Sequence, residues 1–144
     1  MSREDFQFCH PFRVRYSEID GQKVVFNAHY LTYFDTAITE YFRWLGFDYV
    51  NHCDETGYDF HTARTVVNYR APIHYDEEIE VCMRVVKTGR SSLTFEAAIY
   101  VAEEENARAT GEIVWVYIDL SSGKATPIDA GLLALLRKRE GSIL

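Results

Sequence analysis

Between Tyr30 and Leu45, apolar and aromatic side chains recur at Tyr30, Phe34, Ala37, Ile38, Tyr41 and Leu45. Steps of three and four place them on one face of a helix. The pattern predicts a long amphipathic helix. It starts at Asn27, a residue suited to capping, and ends near Gly46, which takes the left-handed stop conformation without steric penalty. Elsewhere the period falls to two. In Glu78–Thr88, Ile79, Val81, Met83 and Val85 alternate with Glu80, Cys82 and Arg84. In Ser91–Val101, Leu93, Phe95, Ala97, Ile99 and Val101 take one side. Ala107–Leu120 is apolar on both sides, with Ile113, Trp115 and Tyr117 against Val114, Val116 and Ile118. That predicts a strand lying centrally or in an interface. Phe6–Tyr16 predicts a first strand with Pro11 at an edge or start, and the Thr- and Val-rich run His61–Tyr69 predicts another. Asp48–Gly57 is acidic and polar, and reads as a short helical turn or a mobile flap. Asp129–Arg139 predicts a closing helix.

The order is strand, long helix, then strands in series. Turn signals at Thr88-Gly89-Arg90, Glu103–Asn106 and Ser121-Ser122-Gly123 separate the later strands. Strands joined by short turns are antiparallel neighbours. One long helix wrapped by a curved antiparallel sheet makes an α+β architecture, and 144 residues make it a single domain spanning residues 1–144. Pairing with a second copy is the cheapest way to cover a free sheet edge, so a homodimer or homotetramer is expected.

Composition narrows the function. A net charge of −7 and a pI near 5.2 come without a basic stripe, which disfavours nucleic acid as partner. The 10 Tyr and 9 Phe suit a core or subunit interface, or an apolar pocket with hydroxyl handles. Cys9, Cys53 and Cys82 are odd in number, widely spaced and without a C-x-x-C, so neither a zinc site nor a disulfide framework is expected. His61 and His74 are too isolated to mark a metal site, and no motif asks for a cofactor. No window approaches the roughly 18 apolar residues of a membrane span. Met1–Asp5 is polar with no signal-type run after it. A cytoplasmic protein is expected.

The candidate chemistry centres on Asp20. It sits in a loop with Gly21, seven residues before Asn27. Asp-Gly is a strong turn signal by itself. A carboxylate beside the unsatisfied amides of a helix start also suggests acyl chemistry, since such amides stabilise a developing oxyanion. There is no G-x-S-x-G nucleophile elbow and no phosphate-binding Gly loop.

Three blocks, in order, resemble a known family. They are Asp20-Gly21-Gln22-Lys23-Val24-Val25-Phe26-Asn27-Ala28-His29-Tyr30, Tyr69-Arg70-Ala71-Pro72-Ile73-His74-Tyr75-Asp76-Glu77, and Lys87-Thr88-Gly89-Arg90-Ser91-Ser92-Leu93-Thr94-Phe95. Together with the element order they resemble the hotdog-fold acyl-CoA thioesterases of the 4-hydroxybenzoyl-CoA thioesterase type, over about Arg13 to Tyr117. The chain departs from that pattern in carrying Lys23 where the family usually has Gly. It also has Asn27 and His29 where one large branch has His and Asn.

The resemblance implies a hotdog fold and hydrolysis of an acyl-CoA thioester. Asp20 would be general base or nucleophile. Amides near Asn27 to His29 would polarise the thioester oxygen, with His29 and Tyr30 lining the pocket. Arg90, with Lys87, Ser91 and Ser92 at one hairpin, would hold the nucleotide phosphates. Arg70 is a further candidate that could instead pair with Asp76 or Glu77. The active site would lie between subunits, with the partner contributing from the Gly57 to Asn68 region. Two rival readings are a dehydratase or hydratase on the same fold, disfavoured by the lack of D-x-N-x-x-H, and a non-catalytic acyl-CoA or acyl-carrier binding protein.

Overall fold

The computed structural model describes residues 1–141. The stripe predicted for the long helix is its buried face. Helix α1 (His29–Leu45) withdraws Tyr30, Tyr33, Phe34, Ala37, Ile38, Tyr41, Phe42 and Leu45 from water. It ends at Gly46, whose φ of 85° lets its amide turn back to the carbonyls of Phe42 and Arg43.

The helix lies against an antiparallel sheet of β1 (Cys9–Arg13), β2 (Tyr58–Tyr69), β3 (Glu78–Thr88), β4 (Ser92–Val101), β5 (Ala109–Asp119) and the short β6 (Lys124–Ala125). The strand order is β1-β3-β4-β5-β2, with β6 beside β5. The period-two pattern reads correctly in β3 and β4: Ile79, Val81, Met83, Val85, Leu93, Phe95, Ala97 and Ile99 all enter the core. β5 is flanked by β4 and β2, as its two apolar faces anticipate. It also carries Gly111 directly under α1, where an added Cβ would stand 2.5 Å from the Phe34 ring.

Several expectations need correction. β1 is shorter than Phe6–Tyr16, because Tyr16–Glu18 forms a 3-10 turn. β2 begins at Tyr58, three residues before the predicted start, and pairs with β5. Of the two readings of Asp48–Gly57 the helical one holds: it is helix α2 (Tyr49–Thr56), capped by the Asp48 carboxylate on the Asn51 amide and stopped by Gly57 at φ 73°. The closing helix α3 (Ala130–Glu140) has Asp129 as its cap.

Cys9 and Cys82 form a disulfide, against the expectation of none. They sit opposite each other in the β1–β3 register. That neighbourhood comes from pairing across 73 residues of chain, which spacing along the sequence does not report.

One buried carboxyl, Glu140, accepts the Tyr41 hydroxyl at 2.7 Å, and that hydroxyl in turn accepts the Val85 amide at 3.3 Å. Burial raises the Glu140 pKa above the ordinary carboxyl value.

The loop carrying Asp20 holds one of three non-glycine residues with positive φ among the described residues, the others being Asp76 and Glu103. Lys23 adopts φ 62°, a left-handed conformation that costs a side-chain-bearing residue about 1 kcal/mol or more. Gly21, by contrast, has no positive φ, and nothing lies within 4 Å of where its Cβ would be. The position that calls for glycine is therefore 23, as the family pattern implies, although the sequence places its glycine at 21.

Two outcomes follow. Lys23→Gly is expected to raise the urea-unfolding free energy by about 1 kcal/mol, while Gly21→Ala leaves it within about 0.5 kcal/mol. A destabilised Lys23→Gly would mean that the Lys23 side chain makes a compensating contact. Gly111→Ala is expected to cost about 1–3 kcal/mol through overpacking against Phe34. An unchanged unfolding midpoint would show that α1 can lift off the sheet freely.

Candidate functional site

Asp20 stands at the head of a tight hairpin. Ile19 bridges Val25, and Val24 bridges His74 in the approach to β3. The Asp20 amide donates to the Val24 carbonyl at 2.9 Å, and the Lys23 amide donates to the Asp20 carbonyl at 2.9 Å. The Phe26 amide closes the loop on the Glu18 carbonyl at 2.9 Å, and the Val25 amide ties it to the Ile73 carbonyl at 2.8 Å. The Asp20 side chain is half-buried, and its Oδ1 accepts the Gln22 amide at 2.8 Å. Among the described residues no Lys, Arg or His forms an ion pair with it. The carboxylate is thus held by its own loop, with Oδ2 unengaged among the described side-chain contacts.

The loop runs straight into α1. The Phe26 carbonyl accepts the His29 amide at 2.9 Å, and the Asn27 carbonyl accepts the Tyr30 amide at 3.3 Å and the Tyr69 hydroxyl at 2.9 Å. Asn27 does not cap the helix. Ala28 precedes the first turn with a helical backbone and no side-chain bond. The chain enters α1 through a tight turn, so Asn27 lies inside that turn and faces solvent. The His29 amide is engaged with Phe26, whereas the amides of Asn27 and Ala28 have no protein acceptor among the described residues. Those two N–H groups are the ones open to an external oxygen.

Tyr30 is buried, packed edge-on to Tyr69 with ring centroids 4.8 Å apart, and burial raises its pKa. His29 is half-buried beside Phe26. Asn27, Tyr30, Tyr69, Arg70 and Pro72 line a shallow cavity of about 280 Å³. Arg70 does not pair with Asp76 or Glu77. Arg13 approaches Asp76, and Arg108 and His74 approach Glu77. Arg70 faces solvent beside the cavity without an ion-pair partner among the described residues.

Lys87, Arg90, Ser91 and Ser92 do sit together at the β3–β4 turn, where Lys87 and Arg90 are exposed. They do not meet Asp20 within the chain. The Asp20 hairpin adjoins the start of β3, and the turn is at the other end of this 11-residue strand, roughly 30 Å along it.

Glu18 and Tyr69 were not among the expected site residues. The hydroxyl of Tyr69 is visible in the sequence, but its contact with Asn27 depends on the fold. Glu18 is 4% exposed. Its Oε1 accepts the Arg15 amide at 2.8 Å and the Tyr33 hydroxyl at 3.0 Å, while its Oε2 accepts the Arg15 guanidinium at 2.6 and 3.0 Å. Burial opposes its charge, yet Arg15 and Tyr33 outweigh that and hold the carboxyl below its usual range.

Larger cavities flank α1. One of about 410 Å³ runs past Leu31, Phe34, Ile38 and Trp115, and one of about 560 Å³ lies among Phe42, Phe47, Tyr49 and Trp115. Neither includes Asp20. No three His, Cys, Asp or Glu side chains converge as a metal site among the described residues. No helix among them is long and apolar enough to cross a membrane.

Similarity to known proteins gives the family. The acyl-CoA thioesterase YbgC of Haemophilus influenzae is 29% identical over 124 residues, covering 86% of this chain and 88% of that protein. A thioesterase from Thermus thermophilus, crystallised with coenzyme A and zinc, is 30% identical with a TM-score of 0.83, covering 98% of this chain and 99% of that one. A 1,4-dihydroxy-2-naphthoyl-CoA thioesterase from Synechocystis shares the fold at 17% identity, with a TM-score of 0.83 over 90% of this chain and 94% of its own. The model of the thioesterase-like superfamily matches residues 14–136. With its helix wrapped by an antiparallel sheet in the order β1-β3-β4-β5-β2, the chain belongs to that superfamily and has the hotdog fold.

Proposed function

We propose that this protein is a cytoplasmic acyl-CoA thioesterase in which Asp20 is the catalytic carboxylate. The observation that carries the reading is a half-buried carboxylate, with no cation paired to it among the described residues, on a hairpin that leads directly into the first turn of α1. The amides of Asn27 and Ala28 are suited to receive the thioester oxygen as it gains charge. Removing one such donor costs about 10²–10³ in kcat in other acyl-transfer enzymes. Asp20 acts on the carbonyl carbon, either by drawing a proton from water or by direct attack. The cavity at Tyr30, Tyr69 and Arg70 suits the pantetheine arm, and the apolar trough along α1 suits the acyl group. The likeness to a thioesterase that binds coenzyme A supports the same carrier here.

The substrate site is shared between subunits in this reading. The cations suited to the nucleotide phosphates, Lys87 and Arg90, lie at the far end of β3 from Asp20 in one chain. A second copy brings its own hairpin within reach. β2, a 12-residue strand bonded only to β5 among the described strands, offers the edge for that pairing.

Free-thiol release from a panel of short, long and aromatic acyl-CoAs tests the reaction. Asp20→Ala is expected to lower kcat by about 10²- to 10⁴-fold with KM changed little. Binding without hydrolysis in the wild type would make the protein a binding module instead. Subunit sharing has its own test. Asp20→Ala and Arg90→Ala, each impaired alone, are expected to regain activity when unfolded together and refolded as mixed dimers, because one of the two sites then carries both intact groups. No recovery in mixtures shown to contain heterodimers would mean that Asp20 and Arg90 of one chain serve the same site, and subunit sharing would fall.

A further inference from the structure

We propose that Glu18, acting through Tyr33, is a positioning residue that sets the Asp20 carboxylate against the first turn of α1. Glu18 can have this role only if Asp20 is the catalytic carboxylate as proposed above.

The hairpin that carries Asp20 has few ties to the helix it must face. Asp20 itself bonds only within the loop. The connection is made two residues earlier. Glu18 lies at the base of the hairpin, and its main-chain carbonyl receives the Phe26 amide that closes the loop. Its side chain reaches inward to the Tyr33 hydroxyl, one turn along α1 from His29. Tyr33 is 2% exposed and has its ring fixed edge-on to Phe12 at 4.8 Å. The same carboxylate holds Arg15 through the backbone amide and both reachable guanidinium nitrogens. One buried group therefore joins the strand leading into the loop, the loop's closure and the helix.

The lowered pKa of Glu18 shows that the fold favours its ionised form, so its bonds to Tyr33 and to the exposed Arg15 contribute to stability. Glu18 also gives direction. Both carboxylate oxygens are occupied by donors of fixed geometry, so the hairpin has one seating on α1. An apolar residue there would pack, but would leave the hairpin tied to the approach to β3 without its side-chain bond to α1. Displacing a catalytic group by about 1 Å can cost about 10²-fold in rate. The bond to Tyr33 therefore acts on kcat, through the distance between Asp20 and the amides of Asn27 and Ala28, and scarcely on substrate affinity.

The test uses Glu18→Leu, Glu18→Gln and Tyr33→Phe, assayed with the acyl-CoA from the panel that the wild type hydrolyses fastest. Glu18→Leu and Tyr33→Phe are expected to lower kcat about 10- to 100-fold with KM within twofold. Glu18→Gln keeps an acceptor for Tyr33 and is expected to recover most of that loss. In Glu18→Leu, hydrogen exchange at the Phe26 and Lys23 amides should speed up at least tenfold while the amides within α1 stay protected. Tyr33→Phe, which keeps the ring, carries the test if Glu18→Leu does not fold. Wild-type kcat in folded Tyr33→Phe, or lowered thermal stability with kcat per folded molecule unchanged, would overturn the proposal. If Asp20→Ala retained hydrolysis, the reading of Asp20 itself would fall, and the exchange measurement would still report whether Glu18 seats the hairpin.

Discussion

Eight side chains of α1 are withdrawn from water against the inner face of the sheet, and the position of every other part follows from that contact. Full burial of a large apolar side chain contributes about 1.5–3 kcal/mol, so this face supplies much of the driving force for the fold. The contact is also closely spaced. Gly111 in β5 leaves no side chain beneath Phe34, and a single methyl there would collide with the ring. The helix therefore has one depth and one rotation over the sheet. Since the candidate site lies at its first turn, the same packing decides where the free amides point.

The site is best understood as a relation between two backbones. The helix start supplies N–H groups that have no protein acceptor among the described residues, and the Asp20 hairpin supplies a carboxylate that has no cation there. Neither feature is unusual alone. The proposed acyl transfer rests on their adjacency along the chain, an anionic group seven residues before amides suited to an oxyanion. The hairpin keeps a strained Lys23 in a position suited to glycine, while Glu18 holds its charge out of water by binding Arg15 and Tyr33. Departures from local preference of this kind cluster where a loop must keep one position.

The candidate cations of one chain lie in two places. Within one chain the hairpin with Lys87 and Arg90 and the loop with Asp20 are at opposite ends of β3. Arg70, which the sequence ranked lower, is the cation beside Asn27 and Tyr30.

By itself, the sequence determined the elements and the fold class. A face repeating every three to four residues can only be buried along a helix, and alternation can only be buried on a strand, so α1, β3, β4 and β5 were legible from side-chain polarity alone. The Asp20 loop was legible too, through the three blocks that carry the family resemblance. Tertiary structure decided what depends on register and on contacts between distant segments. It paired β2 with β5, set Cys9 opposite Cys82, took the cap away from Asn27, and brought Glu18 beneath Tyr33. Each of these is a neighbourhood created by folding. Local pattern records which face a residue shows, whereas the partner it meets is chosen by how whole elements pack.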